Sequence, residues 1–342
     1  MTQLQHDEIA LNRYPEPAFS AATNLRIVAF GGGTGLSILL HGLRQACYPP
    51  DTAWIEDRLT AIVSVSDDGG SSGKLRRAYN TLAPGDIRNC LLALSESGTT
   101  MQSLFNFRFN GEVGGHSLGN LILTALFELE NDFSRAVERA SEILHVCGKV
   151  LPATPDNVHI CAEYVDGSYV HGESRIAWMR QPIHRVRLVP ENIRALPQAR
   201  NAIADADLII IGPGSLYTSI IPTLLVKDIS EAISRSNATV VLVMNLMTEP
   251  GETDGHAPVD FLRAVNYHAP EIPIHKVLMN NSPIRQELID FYRADGSVPI
   301  IADRNKILEM GCQPVECDLL GEGPMVRHDP YKLAQALLKL GE

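Results

Sequence analysis

From residue 25 onward, short and almost wholly apolar runs alternate with longer amphipathic stretches. The runs "LRIVAF" (25–30), "LTAIVSV" (59–65), "DLIIIG" (207–212), "TVVLVMNL" (239–246) and "HKVLMN" (275–280) are rich in β-branched residues. They predict strands buried on both faces. Helix-period stretches lie between them, at 35–47, 86–96, 117–129, 133–146, 197–204, 228–236, 258–267 and 329–340, with proline and glycine at many borders. This alternation marks βαβ units. The expected fold is therefore α/β and Rossmann-like, a mostly parallel sheet with helices on both faces. Residues 151–190 break the rhythm: "HICAEYVDGSYVHGESRIAWM" alternates around Asp166-Gly167, which predicts a small antiparallel β insert.

At 342 residues and 45% hydrophobic, the chain can bury a core for one large α/β domain or two closely joined ones. The division expected is a loose polar arm at 1–24, then one nucleotide-binding domain at 25–342 carrying the insert. A net charge of −11 argues against nucleic acid or an anionic membrane surface as a partner. The N-terminal stretch lacks the apolar segment of a signal peptide, and the longest apolar run, "ATVVLVMNLM", is too short to span a membrane. Six scattered cysteines without a C-x-x-C pair fit reduced thiols, so the expected compartment is the cytoplasm.

Candidate chemistry gathers in loops after predicted strands. "VAFGGGTGLSILLHGL" runs strand, glycine loop, helix, where backbone amides at a helix start attract an anion such as phosphate. The dinucleotide pattern G-x-G-x-x-G fails, because the sixth position is Leu36 counted from Gly31 and Ile38 counted from Gly33. That demotes a nicotinamide dehydrogenase. A second loop, "LIIIGPGSLYTSIIPTLL", offers Gly212, Gly214 and Ser215, and a third, "NLMTEPGETDGH", adds Thr248 and Glu252. The stretch "VSVSDDGGSSGKLRRAY" (63–79) is no P-loop, since Leu75 follows Lys74 where a Ser or Thr would bind Mg²⁺. Read as a flexible loop, it could close over a ligand, with Asp67 and Asp68 on a ribose, a Mg²⁺ or an arginine. In "PGDIRN" the expected helix start holds Asp86, a cap or a ligand contact, with Arg88 and Asn89 in the first turn. A cation there opposes the helix dipole, so Arg88 points to an anionic partner. His116, Ser117 and Asn120 in "GHSLGN" open another expected helix.

The ordered motifs "FGGGTGLS", "VSDDGGSSGKLRR", "PGDIRN", "GHSLGN", "LPAT", "GPGSLYTS" and "MTEPGETDG" resemble the bacterial gluconeogenesis factor family, described as acting in cell morphogenesis under gluconeogenic growth. That family is related to the 2-phospho-L-lactate transferases. The resemblance covers about residues 25–340. It implies a nucleotide cleft at the C-terminal ends of the strands and, in the bacterial branch, binding of UDP-sugars such as UDP-N-acetylglucosamine. The transferase branch implies a guanylylated phospholactate donor, a deazaflavin acceptor and Mg²⁺ near acids matching Asp67 and Asp68. The "TEPGETDG" ending and "VRHDPYKLAQALL" are more similar to the bacterial branch.

Carried over by position, the resemblance puts Gly32, Gly33, Thr34 and Gly35 at the nucleotide, and Asp67, Asp68, Ser72 and Arg76 at its phosphate or reacting end. Gly212, Gly214, Ser215 and Leu216 support it from the second loop, with Asn245 and Thr248 beyond the next strand. His116, Ser117 and Asn120 line the other side, and Tyr292 and Arg327 correspond to a family tyrosine and arginine for sugar-nucleotide binding. The expected function is a cytoplasmic nucleotide-sugar-binding factor linking carbon metabolism to cell-wall synthesis and cell shape. It needs no cofactor to bind, has cell-wall or regulatory proteins as partners, and is compatible with a homo-oligomer. The alternative is a Mg²⁺-dependent, phospholactate-transferase-like enzyme with Asp67 and Asp68 as catalytic and metal-binding acids.

Overall fold

A computed structural model describes residues 23–49, 58–111 and 114–341. The arm assigned to 1–24 lies outside the described residues, apart from its last two positions. Ten strands form: β1 (Ile27–Gly31), β2 (Leu59–Val63), β3 (Lys149–Pro152), β4 (His159–Tyr164), β5 (Tyr169–His171), β6 (Ile183–Val189), β7 (Leu208–Ile211), β8 (Thr239–Val243), β9 (Lys276–Asn280) and β10 (Gln313–Cys317). Seven of them make one sheet in the order β10-β9-β8-β7-β1-β2-β3, with every pairing parallel. This is the doubly wound order: the chain starts in the middle, runs out to β3 on one side, and returns through β7 to finish on the other. Right-handed crossovers in opposite directions from β1 put helices on both faces.

The predicted strands all form, and their apolar runs are why. β1, β2 and β7 are buried at every position, as strands covered on both faces must be. Two strands escaped the reading. β3 is only four residues long, and β10 contains Pro314 on an edge strand, where a missing amide is tolerated. The insert is a separate three-stranded antiparallel sheet, β5-β4-β6, with the β4–β5 hairpin turning at Asp166-Gly167. It starts later than expected, since β3 belongs to the main sheet.

The stretch expected to be a flexible loop needs correction. Residues Gly70–Tyr79 form a helix, although "GSSGK" has poor helix propensity and no side chain caps its start. Tertiary contacts override the propensity. A Cβ at Gly73 would lie 1.8 Å from the Asp68 carbonyl oxygen, so the helix packs on its own entry turn more closely than any larger residue permits. Arg76 completes the anchorage, as described below.

Candidate functional site

β1 and β7 are neighbours, and the connections leaving them run to opposite sides of the sheet. At such a switch point a crevice opens beyond the C-terminal strand ends, which is where open α/β sheets bind ligands. Both glycine loops lie there. A Cβ at Gly35 would meet the Pro213 carbonyl oxygen at 2.4 Å, and one at Gly214 would lie 3.4 Å from the Gly32 oxygen, so the loops touch backbone to backbone. Gly33 is in the left-handed region (φ +61°), and a Cβ there would point into open space. The helix it begins, Gly33–Cys47, has no side-chain cap and no acid in its own first turn. Thr34, beside it, is exposed, while Gly32 would collide with the Asp86 carboxylate if it carried a Cβ.

Asp86 supplies the anion that the helix start attracts. It stands in the first turn of the helix Pro84–Leu94 and accepts the Gly33 amide. Burial, then the negative charge of Asp67, push its carboxyl up from 3.8 to about 7, against the opposing pull of the Gly33 amide and Arg88. Asp67, just past β2, is also raised, first by burial; the Gly69 amide (2.8 Å) and the Ser72 hydroxyl hold its side chain. Asp67 and Asp86 thus form a repelling pair at the crevice. Asp68 turns elsewhere: its Oδ1 accepts the Ser174 amide at 2.8 Å, on the side of the β insert. Asp68 still helps to raise the Asp67 carboxyl, but the two side chains take different hydrogen-bond partners.

Arg76 also differs from expectation. It is buried, and its guanidinium donates to the backbone oxygens of Ser66 (2.7 Å), Asp67 (3.1 Å) and Val158 (2.5 Å) and to Asn157 Oδ1 (2.7 Å). Instead of facing a phosphate, it ties the Asp67 turn to the insert. Arg88, equally buried, donates to Ser117 Oγ, to Asn120 Oδ1 (3.3 Å) and to Asn89 Oδ1 (2.7 Å). Asn120 then donates to Ser71 Oγ (3.1 Å), which also bonds His116 Nδ1 (2.9 Å). The residues expected on the far wall are therefore joined in one polar network, with Arg88 answering protein oxygens. Ser117 is in addition the N-cap of the helix Leu118–Glu130.

On the β7 side, Ser215 leads into a single π-helical turn, Leu216–Ile220, with Leu216 fully buried, so that only its backbone is available to a ligand. Asn245 grips Gly214 at both ends, accepting from its amide (3.2 Å) and donating to its carbonyl (2.9 Å), and also donates to Glu249 (3.0 Å). Gly212 passes the chain from β7 into this loop, its amide bonded to the Phe30 oxygen at 2.9 Å. Thr248 is buried and occupied: its hydroxyl accepts from the Val298 amide at 3.0 Å. Tyr292 packs beside Met247 and takes the Val326 amide at 3.3 Å, next to Arg327, so the pair borders the third loop.

Sequence reading missed Glu173, which stands in the insert more than 100 residues from Asp67 in the chain. Burial, then Asp67 and Asp86, push its carboxyl well above the usual range. No local pattern marks it. In the sequence Glu252 is marked only by its loop; it accepts from the Thr218 hydroxyl (3.0 Å) and from the Tyr217 and Thr218 amides, and burial followed by Glu249 raises it to about 8.

Fold and site together define a doubly wound α/β protein with two facing glycine loops and a ring of raised carboxyls at its switch point. The profile described as 2-phospho-L-lactate transferase CofD matches residues 27–320, and the chain belongs to that family. The chain is 44% identical to the gluconeogenesis factor of Bacillus subtilis, over 92% of this chain and 98% of that one. It is 40% identical to the gluconeogenesis factor of Listeria innocua, over 94% and 97%. A crystal structure of a UPF0052-family protein from Bacillus halodurans superposes with a TM-score of 0.87 at 41% identity, covering 92% of this chain and 99% of that one. Among the described residues, no helix is long and apolar enough to cross a membrane.

Proposed function

We propose that this protein is a cytoplasmic nucleotide-sugar-binding factor for a ligand of the UDP-N-acetylglucosamine type. Its occupancy links carbon metabolism during gluconeogenic growth to cell-wall synthesis and cell shape. The observation that carries the reading is the pair of touching glycine loops at the switch point, with the left-handed Gly33 open to the crevice. First-turn amides beyond that of Gly33, which Asp86 accepts, suit a diphosphate, and the names of the relatives support the metabolic part. A ligand that prefers one conformation shifts the population toward it, and cell-wall or regulatory proteins then read the change.

The Asp67–Asp86 pair favours a second reading, Mg²⁺-dependent transfer from a nucleotide-diphosphate-activated donor of phospholactate type. Mg²⁺ is commonly held by one or two carboxylates plus substrate phosphates, and these two acids repel each other without a cation between them. Bound there, Mg²⁺ would neutralise charge on a transferring group. Asp67 and Asp86 would hold the ion, Ser72 would fix Asp67, and the glycine loops would fix the diphosphate.

One experiment separates the readings. Purified protein is titrated calorimetrically with UDP-N-acetylglucosamine and Mg²⁺ while phosphorus NMR follows product release. Saturable binding without turnover is expected of the factor. Turnover that disappears in Asp67→Asn would establish the transferase instead, and absence of binding would overturn the nucleotide-sugar ligand.

A further inference from the structure

Asp68 leaves the glycine crevice for a second recess of about 400 Å³ between the β insert and the helix Gly70–Tyr79. His159 on β4, His171 on β5, Ser174 and Arg175 after the hairpin, and Arg77 on the helix also line it. The chain carries a net charge of −11, yet here two guanidiniums and two imidazoles face one acid. Several exposed arginines pair with acids, as Arg185 does with Glu163 and Arg139 with Glu130, although others such as Arg180 and Arg200 do not among the described residues. The guanidiniums of Arg77 and Arg175 also have no hydrogen-bond or ion-pair partner among the described residues. Cations left unpaired around a concave space in an acidic protein create a local positive field, the condition for capturing an anion.

We propose that this recess is a second binding site, for a small hydroxylated phosphomonoester. Arg77 and Arg175 supply charge-assisted donors to a phosphate dianion, and the fork of each guanidinium matches two phosphate oxygens. The two imidazoles add further donors. Asp68 is the acceptor for a ligand hydroxyl: its Oδ1 is held by the Ser174 amide, while its Oδ2 has no protein donor among the described residues. The volume falls in the range of small-molecule pockets and exceeds what a bare phosphate ion fills. No Phe, Tyr or Trp is among the described lining residues, and the polar side chains there suit a small polar ligand. The site does not depend on the crevice reading, because none of its cations touches the glycine loops.

Glucose 6-phosphate is a suitable probe, with glucose and inorganic phosphate as controls, measured by titration calorimetry on the full chain. The expected result is saturable binding of glucose 6-phosphate, none of glucose, and a weaker response to inorganic phosphate. The doubly substituted Arg77→Ala/Arg175→Ala protein should bind glucose 6-phosphate at least about tenfold more weakly, the loss expected for charged hydrogen bonds. Both arginines are exposed, so its melting temperature should stay close to that of the parent. Saturating UDP-N-acetylglucosamine should leave the glucose 6-phosphate isotherm in place. Equal binding by the double variant, displacement by the nucleotide sugar, or no binding at all would each overturn the proposal.

Discussion

Asp67 and Asp68 are neighbours in the chain and serve different surroundings. The first meets Asp86 at the crevice, and the second faces the arginine-lined recess. Asp86 gives this arrangement a pH signature. Its carboxyl is raised from 3.8 to about 7, so the folded protein holds a proton that the unfolded chain has already released. The stability this proton contributes is complete below about pH 4 and is lost as pH rises through about 7; Glu252, raised to about 8, acts in the same direction. Thermal melts should therefore show stability falling across that window, with a shallower fall in Asp86→Asn. Mg²⁺ should raise the melting temperature more at about pH 8 than at about pH 5, because only the ionised pair attracts it. A Mg²⁺ effect independent of pH would separate the ion from these acids. Arg76 carries a second prediction. Arg76→Ala strands four oxygens that it now satisfies and should destabilise the protein by on the order of 3 kcal/mol in urea unfolding. A loss below about 1 kcal/mol would show that water replaces the guanidinium.

At the scale of elements, what could be read in the sequence is what depends on local pattern. Five buried strands and eight helices announce themselves through apolar runs and their Gly or Pro borders, and all of them form. The helix Gly70–Tyr79 does not, because its stability comes from Arg76 and from packing at Gly73 rather than from its own residues. The touching of the glycine loops likewise depends on β1 and β7 lying side by side, which the 176 intervening residues (32–207) conceal from the sequence. Close approach of another kind governs Gly42 on the helix Gly33–Cys47. A Cβ there would lie 1.9 Å from the Pro330 carbonyl oxygen, where the C-terminal helix Pro330–Gly341 crosses. Gly42→Val must push the helices apart and should cost about 1–3 kcal/mol or more. Unchanged unfolding in this variant would mean that the C-terminal helix can shift freely.

For the whole molecule, the sheet order does most to fix where ligand can bind. Starting in the middle and winding both ways leaves one switch point, and the chain puts two glycine loops there. The β insert then closes one side, bringing Glu173 to the crevice and tying itself to the Asp67 turn through Arg76. A ligand in the crevice would thus bear on both sheets at once. The proposed function of the crevice rests on the ligand's phosphates lying against the first glycine loop. Gly33→Asn tests it, since asparagine tolerates the left-handed backbone at Gly33 and projects its side chain into the open space there. Titration calorimetry of UDP-N-acetylglucosamine against both proteins should show a folded variant whose affinity has fallen at least about tenfold. A folded Gly33→Asn protein that binds the nucleotide sugar as tightly as its parent would contradict the account.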